Sequence, residues 1–288
     1  MRNIFFVYNS SKENALTIAS EVITFLKSKD LTIYVECEKI SKDYNLEMID
    51  GEGLNKCDLA VILGGDGTIL KFAKEYGTYQ IPILGINIGR VGALASANPS
   101  NYQELIEKYL QNDYYVTKNL TLKCVVKYQE KEEVEEYAIY NEVVVHRGAF
   151  LQLLPIEVAI NNTKFDHIYA DGIIVATPTG SSAYNFSAGG PLLSHDSNCY
   201  VITPVCSQTR DFSSLVVSKD EVVCLKVKQA TTDVFLAIDG GKLLPLSNGD
   251  VVEVSKADVT LNIVNFYRQY SIYETVYKVM SSNKREDD

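Results

Sequence analysis

Asp58-Leu59-Ala60-Val61-Ile62-Leu63-Gly64-Gly65-Asp66-Gly67-Thr68 is the stretch that decides the fold of the first part of the chain. Its continuous apolar run is typical of a strand buried on both faces of a parallel sheet. The glycines permit close approach of a ligand, and residues 69–76 follow with helical spacing, so a helix N-terminus would present free N–H groups to an anion. Asp66 would repel a phosphate unless it binds a cation or takes a proton from a substrate hydroxyl. The stretch therefore indicates phosphoryl transfer, with Asp66 as the candidate catalytic base.

The composition narrows the class of protein. The 288 residues, 46% hydrophobic and 22% charged, fit a soluble globular chain with room for one large domain or two ordinary ones. A net charge of −10 argues against a nucleic-acid or anionic-membrane partner, and no apolar stretch is long enough to span a membrane. The six cysteines are scattered, which is typical of neither a zinc site nor a disulfide framework and indicates the reducing cytoplasm: Cys37, Cys57, Cys124, Cys199, Cys206 and Cys224.

Strands and helices alternate along the first third of the chain. This order predicts an α/β domain with a doubly wound, mostly parallel sheet. The predicted strands are residues 4–8, 32–37, 59–63 and 82–86, and the predicted helices are 13–28, 68–76 and 101–110.

Short runs rich in β-branched residues and separated by turn-forming residues begin near residue 114. They predict a second, all-β domain of sandwich type. The predicted strands are 120–128, 137–146, 156–160, 172–177, 199–203, 222–227, 234–238 and 251–256.

A second motif runs from Asp171 to Pro191. An acid precedes the buried strand 172–177, Pro-Thr-Gly-Ser-Ser follows, and residues 183–188 have the spacing of a short helix. A helix that begins with serines offers backbone and hydroxyl donors to a ligand. The alternative is an ordinary capped helix, which explains the serines but not the density of small residues as far as Gly190.

The pair Asn141-Glu142 stands ahead of a β-branched run. An adjacent amide and carboxylate offer a clamp for a ribose diol. A polar strand entrance is the alternative, and it would be favoured if the pair stood alone.

Together these motifs resemble those of the NAD kinase family. The resemblance rests on Gly64–Thr68, on Gly85-Ile86-Asn87 followed by Gly89-Arg90-Val91-Gly92, on Asn141-Glu142 and on the long block from Asp171 to Pro191. It covers residues 4–267. The first motif is shared with diacylglycerol-type lipid kinases, whereas the Asp171 block is much more specific.

The resemblance implies transfer of the γ-phosphoryl group of ATP, or of polyphosphate, to the adenosine 2′-hydroxyl of NAD, giving NADP. It implies a divalent cation such as Mg²⁺, bound with the phosphoryl donor rather than at a dedicated protein metal site. It also implies a homodimer or homotetramer. The expected domains are 1–115, rejoined by the C-terminal segment 265–288, and a β-sandwich NAD-binding domain, 116–264.

The resemblance also assigns roles to residues. Asp66 would accept the 2′-hydroxyl proton, Gly67 would lie near the adenosine ribose, and Lys71 would help to neutralise phosphates. Asn141 and Glu142 would hold the nicotinamide-side ribose, and Asp171 the carboxamide. The dinucleotide would be lined by Ser182, Ala183, Tyr184, Asn185, Phe186 and Ser187.

Three positions and one segment depart from the family's usual pattern. Ala93 stands where the family usually has Phe, Tyr169 where it has Arg, and Gly241 where it has Gln. The usual Pro-His-Thr-Leu-Ser segment reads Cys-Ser-Gln-Thr-Arg-Asp-Phe at 206–212. Two other functions stay open at this point: a diacylglycerol-type lipid kinase, and a non-catalytic NAD-binding sensor.

Overall fold

The computed structural model describes residues 2–12, 14–89, 92–131, 133–149, 152–161, 163–209, 212–228 and 230–266. Strands and helices alternate from the start of the chain. The elements of this part are β1 (Asn3–Tyr8), α1 (Ala15–Lys27), β2 (Thr32–Val35), α2 (Glu38–Tyr44), β3 (Glu47–Met48), β4 (Leu59–Gly64), α3 (Asp66–Tyr76), β5 (Ile83–Asn87) and α4 (Tyr102–Leu110).

Strands dominate the remainder. They are β6 (Tyr115–Lys127), β7 (Val134–Ile139), β8 (Glu142–Arg147), β9 (Leu154–Ile160), β10 (Thr163–Ala170), β11 (Gly172–Ala176), β12 (Cys199–Val205), β13 (Leu215–Ser218), β14 (Val223–Val227), β15 (Val234–Ile238), β16 (Lys242–Leu246) and β17 (Val251–Asn265), with one short helix, α5 (Tyr184–Ser187).

The described residues form two compact units. The first holds the residues up to Lys118 and those from Val259 onward, and the second holds Asn119–Asp258. Nearly all of the expected C-terminal segment 265–288, including residues 274–280 where the sequence permits a helix, lies outside the described residues.

The first unit is built on a parallel sheet with β4 near its centre. Its strand order is β5-β4-β1-β2-β3, and the end of β17 lies parallel beside β5. Every residue of β4 is buried, as the continuous apolar run predicts. The predicted α/β fold is confirmed. The carboxyl ends of β1, β4 and β5 share one edge of the sheet, where open α/β sheets bind ligands.

The second unit is a sandwich of antiparallel pairs, as predicted. One sheet has the order β13-β12-β11-β8-β15-β16, and the other contains β10-β9-β14-β17 with β6 and β7. Alternating side chains from both sheets form one core cluster that includes Val145, Val175, Tyr200, Leu225 and Val254.

The prediction of a single strand over 137–146 was wrong. The structure has β7 and β8 there, in different sheets, and Tyr140 and Asn141 join them. Hydrophobic patterning does not show this change of sheet, because apolar residues continue on both sides of Tyr140 and Asn141. The patterns also missed α2, β3, β10, β13 and β16, which are short or have exposed residues at many positions.

Leu63 and Leu16 provide a matched test of the first core. Leu63 is fully buried in β4, whereas Leu16 on α1 is 44% exposed. We expect Leu63→Ala to lower the free energy of unfolding by about 2–5 kcal/mol, because it leaves a cavity in the sheet core. Leu16→Ala should change it by less than about 0.5 kcal/mol. Urea unfolding followed by circular dichroism measures both, and equal losses would contradict this assignment of the core.

Candidate active site

The turn after β4 places Asp66 at the first residue of α3, with Gly65 as the N-cap. The Asp66 carboxylate is held by two backbone N–H groups. Ala93 N donates to Oδ2 at 2.7 Å, and Leu94 N donates to Oδ1 at 3.1 Å. The candidate base is therefore a side chain with a defined orientation.

Gly92 makes room for this carboxylate. A Cβ on Gly92 would lie 2.3 Å from Asp66 Oδ1, far inside van der Waals contact. The residues that follow Gly92 thus bind the acid of the Gly-Gly-Asp-Gly turn. Ala93 contributes only its N–H to Asp66, so this contact tolerates a departure from the family's usual residue there.

Other polar groups gather near the same sheet edge. Asn9, directly after β1, donates through Nδ2 to Thr68 Oγ1 at 3.2 Å. Asn87, the last residue of β5, accepts the N–H of Gly89 at 2.9 Å. Lys12 Nζ lies 3.5 Å from the position that a Cβ on Gly89 would take. Asn9 and Lys12 belong to none of the sequence motifs. They could be identified only from their position just after β1, at the carboxyl edge of the sheet.

Gly67 and Lys71 are both exposed on the first turns of α3. A Cβ on Gly67 would meet nothing within 4 Å, so the backbone there is open to a ligand. Lys71 adds a cation to the same helix as Asp66.

In the second unit, a carboxylate also holds the segment that carries Asn141 and Glu142. Asp239 Oδ1 accepts the N–H groups of Asn141 (2.7 Å) and Glu142 (3.0 Å), and Oδ2 accepts that of Tyr140 (3.2 Å). Glu142 is only 6% exposed. Sequence reasoning did not identify Asp239, although its Asp-Gly-Gly turn was visible.

Thr177 holds the same segment through its carbonyl groups. Its Oγ1 donates to Tyr140 O at 2.7 Å, and its backbone N–H donates to Asn141 O at 2.8 Å. Gly180 is required here, because a Cβ would lie 2.1 Å from Asn141 O. The Asn-Glu pair and the Pro-Thr-Gly-Ser turn are thus a single packed unit.

Asn185 is fully buried beneath the turn. Its Nδ2 donates to Ser181 O and Pro191 O, both at 3.0 Å, and its Oδ1 accepts from Thr203 Oγ1 at 2.7 Å. Both amide donors are used inside the protein. This placement favours a supporting role over the direct ligand contact expected from the sequence.

The neighbours of Asn185 are more accessible. Tyr184 and Phe186 are 46% and 45% exposed, and Ser187 is also exposed. Ser182 and Ala183 are half-buried, and Ser182 Oγ donates to Thr179 O at 3.2 Å. The predicted helix 183–188 is the four-residue α5. It presents the rings that the sequence offered as ligand contacts.

Asp171, directly before β11, forms an ion pair that the sequence did not reveal. Arg147 Nε donates to its Oδ1 at 2.6 Å, and the two backbones bond through Arg147 N and Asp171 O at 3.0 Å. The hydrogen bond from Arg147 lowers the pKa of Asp171 below its ordinary value, and partial burial opposes this shift only in part. Asp171 is thus held ionised at neutral pH.

A parallel sheet with an acid in its glycine-rich turn, together with a β-sandwich that holds an amide–carboxylate pair, is the arrangement that the sequence motifs predict for a phosphotransferase. Residues 4–114 match the family model of the ATP-NAD kinase N-terminal domain, and residues 140–266 match that of the ATP-NAD kinase C-terminal domain. The chain belongs to the NAD kinase family, a family of phosphotransferases.

Similar proteins span nearly the whole chain. An NAD kinase of Natranaerobius thermophilus is 30% identical over 294 residues, which cover 99% of each chain. An NAD kinase of Clostridium perfringens is 35% identical, and the match covers 92% of this chain and 94% of that relative.

Two solved structures share the fold. Yeast NADH kinase complexed with NADH superimposes with a TM-score of 0.87 and 23% sequence identity, and the match covers 98% of this chain and 88% of the yeast chain. An NAD kinase from Archaeoglobus fulgidus in complex with ATP has a TM-score of 0.72 and 24% identity, covering 97% and 99%.

The Arg147–Asp171 pair predicts a pH dependence of stability. Because the folded-state pKa of Asp171 is lowered, its contribution is complete above the ordinary value of 3.8 and is lost as the pH falls through the folded value. We expect Arg147→Met to lower the midpoint temperature at neutral pH, and the difference from the wild type to shrink below about pH 4. Scanning calorimetry across this range measures it.

The same replacement in an Asp171→Asn background is the control. In that background, Arg147→Met should change the midpoint temperature by the same amount at every pH in this acidic range. If the single replacement shows the same loss at pH 3 and pH 7, the assigned ion pair is wrong.

Proposed function

We propose that the chain transfers the γ-phosphoryl group of ATP, or of polyphosphate, to the adenosine 2′-hydroxyl of NAD, giving NADP, with Asp66 as the general base. One observation carries the assignment of the base. Asp66 lies at the carboxyl edge of the parallel sheet, at the start of a helix, with both oxygens oriented by backbone N–H groups. A phosphate site that contains an oriented acid suits an acceptor hydroxyl that must lose its proton.

The hydrogen bonds leave Asp66 able to act. Each carboxylate oxygen has about two acceptor positions, and one N–H occupies one of them on each oxygen. A remaining lone pair takes the proton of the 2′-hydroxyl. The hydroxyl oxygen then bonds to the γ-phosphorus while the bond from phosphorus to the leaving phosphate oxygen breaks.

The phosphates of the donor are proposed to bind near the same edge. The start of α3 offers backbone N–H groups, and Gly67 leaves space above them. Lys71 and Lys12 add positive charge, which neutralises the phosphates and offsets the charge of Asp66.

NAD is proposed to use the second unit. Asn141 and Glu142 would bind the nicotinamide-side ribose, and Asp171 would accept the carboxamide N–H through a lone pair that Arg147 does not use. The rest of the dinucleotide would be lined by Ser182, Ala183, Tyr184, Phe186 and Ser187, with Asn185 supporting them from below.

Mg²⁺ or another divalent cation is proposed to enter with the donor. In the described part of the chain, no group of three His, Cys, Asp or Glu side chains is placed to hold a metal ion. This donor set fits a cation held chiefly by phosphate oxygens, as Mg²⁺ prefers, with Asp66 the nearby protein carboxylate. The cation would neutralise charge that develops on the transferred phosphoryl group.

The assembly and location are proposed from the family resemblance and composition. We propose a homodimer or homotetramer in the cytoplasm that acts on NAD without a nucleic-acid or membrane partner. Among the described residues, no helix has the length and apolar character needed to cross a bilayer.

Removal of divalent cations tests the cofactor. Excess EDTA should abolish NADP formation, and added Mg²⁺ should restore it, because the phosphate charge is otherwise uncompensated. A specific dehydrogenase that reduces NADP reports the product. Full activity in EDTA would contradict a divalent cofactor.

Replacement of Asp66 tests the base. We expect Asp66→Asn to lower kcat by about 10²–10⁴-fold, because the amide cannot take the proton. The variant should still bind NAD, as calorimetry would measure. The matched control is Asp58→Asn at the other end of β4, where Asp58 Oδ2 accepts the N–H of Asn3 at 2.8 Å. The control should retain kcat. No NADP from the wild type above the Asp66→Asn background would overturn the proposed function.

A further inference from the structure

We infer that Asp239 is a positioning residue for NAD, which it orients by holding the backbone that carries Asn141 and Glu142. The inference rests on the proposed function and extends it. In this assignment Asp239 acts through the polypeptide, and the residues that touch NAD are Asn141 and Glu142.

The position of Asp239 is set by a tight hairpin turn between β15 and β16. Asp239 and Gly240 both have positive φ angles, 45° and 63°, and Gly241 N donates to Ile238 O at 3.0 Å. This is the geometry of a type I′ turn, for which Asp-Gly and Asn-Gly are preferred sequences. The carboxylate therefore projects from a rigid turn.

The hairpin lies directly beside the segment that it holds. β15 pairs with β8, with Ile238 opposite Val143, and Asp239 N donates to Glu142 O at 2.8 Å. The carboxylate then accepts three successive N–H groups, from Tyr140, Asn141 and Glu142. Hydrogen bonds to an ionised acceptor are stronger than neutral ones, so this contact outweighs an ordinary turn contact.

Within the held segment, Tyr140 and Asn141 lie outside the described strands, whereas Glu142 begins β8 opposite Ala176. The chain passes from β7 to β8, and from one sheet to the other, at Tyr140 and Asn141. Thr177 bonds to its carbonyl side, and Gly180 leaves room for it. Loss of the acceptor would let the peptide groups of Tyr140 and Asn141 rotate, which would turn the Asn141 side chain and displace the start of β8 at Glu142.

Asp239→Asn is the sharpest variant, because Asn-Gly preserves the turn. Its amide oxygen still accepts from Asn141 and Glu142, but its NH₂ group then faces the Tyr140 N–H, donor against donor. We expect the KM for NAD to rise about 10- to 100-fold, because a contact group that is displaced binds its ligand more weakly by about that factor. The kcat should change less, and the KM for ATP should stay unchanged.

Asp250→Asn is the matched control. Asp250 is buried and, like Asp239, adjoins a turn glycine, and its carboxylate accepts the N–H groups of Gln129 (2.8 Å) and Ser247 (2.7 Å). If Asp239 had only a structural role, the thermal midpoint would fall in both Asp239→Asn and Asp250→Asn, and the two variants would have the same KM for NAD. A KM for NAD in Asp239→Asn that equals that of the wild type or of Asp250→Asn overturns the inference.

A double-mutant cycle with Asn141→Ala tests the route of action. If Asp239 acts through Asn141 and Glu142, the combined loss in kcat/KM for NAD is smaller than the product of the two single losses. If the combined loss in kcat/KM equals the product of the two single losses, Asp239 acts independently of Asn141, which also overturns the inference. Should Asp239→Asn not yield folded protein, Asp239→Ser, which retains one acceptor oxygen, is judged by the same criteria.

The two proposals fail in different ways. Absence of NADP formation by the wild type removes the proposed function, and calorimetric binding of NAD to the wild type, Asp239→Asn and Asp250→Asn then decides the role of Asp239. Failure of the inference alone leaves the wild type active and changes only the comparison of the variants.

Discussion

A carboxylate that accepts backbone N–H groups is the interaction on which the candidate site depends. At Asp66, two N–H groups from the turn after Gly92 orient the side chain proposed to carry the proton transfer. The parallel sheet supplies the platform, because the turn that carries Asp66 follows directly from the buried strand β4. Gly92 supplies the space, because any Cβ there would overlap the carboxylate. The sheet, the helix start and the second glycine turn all serve to place one acid.

A carboxylate that accepts backbone N–H groups is found in the second unit as well, where it has a different role. Asp239 accepts three N–H groups, but there the held backbone, rather than the acid, bears the candidate ligand contacts. Both arrangements solve the same problem. A loop that leaves regular pairing must satisfy its backbone polar groups, and an ionised side chain does so while fixing the loop's conformation.

Much of this could be predicted from the sequence. The apolar run of β4 and the helical spacing after Gly67 predicted the elements that place Asp66, because burial and periodicity are local properties of the chain. The β-branched runs predicted the sandwich for the same reason. Short elements such as β13 and β16 were missed, because four or five residues are too few to establish a period and each of these strands has a single buried residue.

The candidate site was predictable only in part. Motif spacing identified Asp66, Asn141, Glu142 and Asp171 as candidates, but not what holds them. Arg147 lies 24 residues from Asp171, and Asp239 lies 97 residues from Glu142. Asn185 shows the converse, since its motif suggests a ligand contact whereas its buried amide group donates both N–H groups within the protein. Part of its environment comes from Thr203, which lies outside the motif.

By itself, the sequence determined the two fold types, the glycine turn and the chemical groups that the turn and the later motifs carry. These follow from residue type and spacing along a few consecutive turns or strands. The tertiary structure alone decided which of those groups are oriented, which are exposed and which are consumed internally. The reason is physical: a carboxylate's orientation depends on donors that approach it in space, and the chain brings Ala93 to Asp66 and Asp239 to Asn141 only by folding.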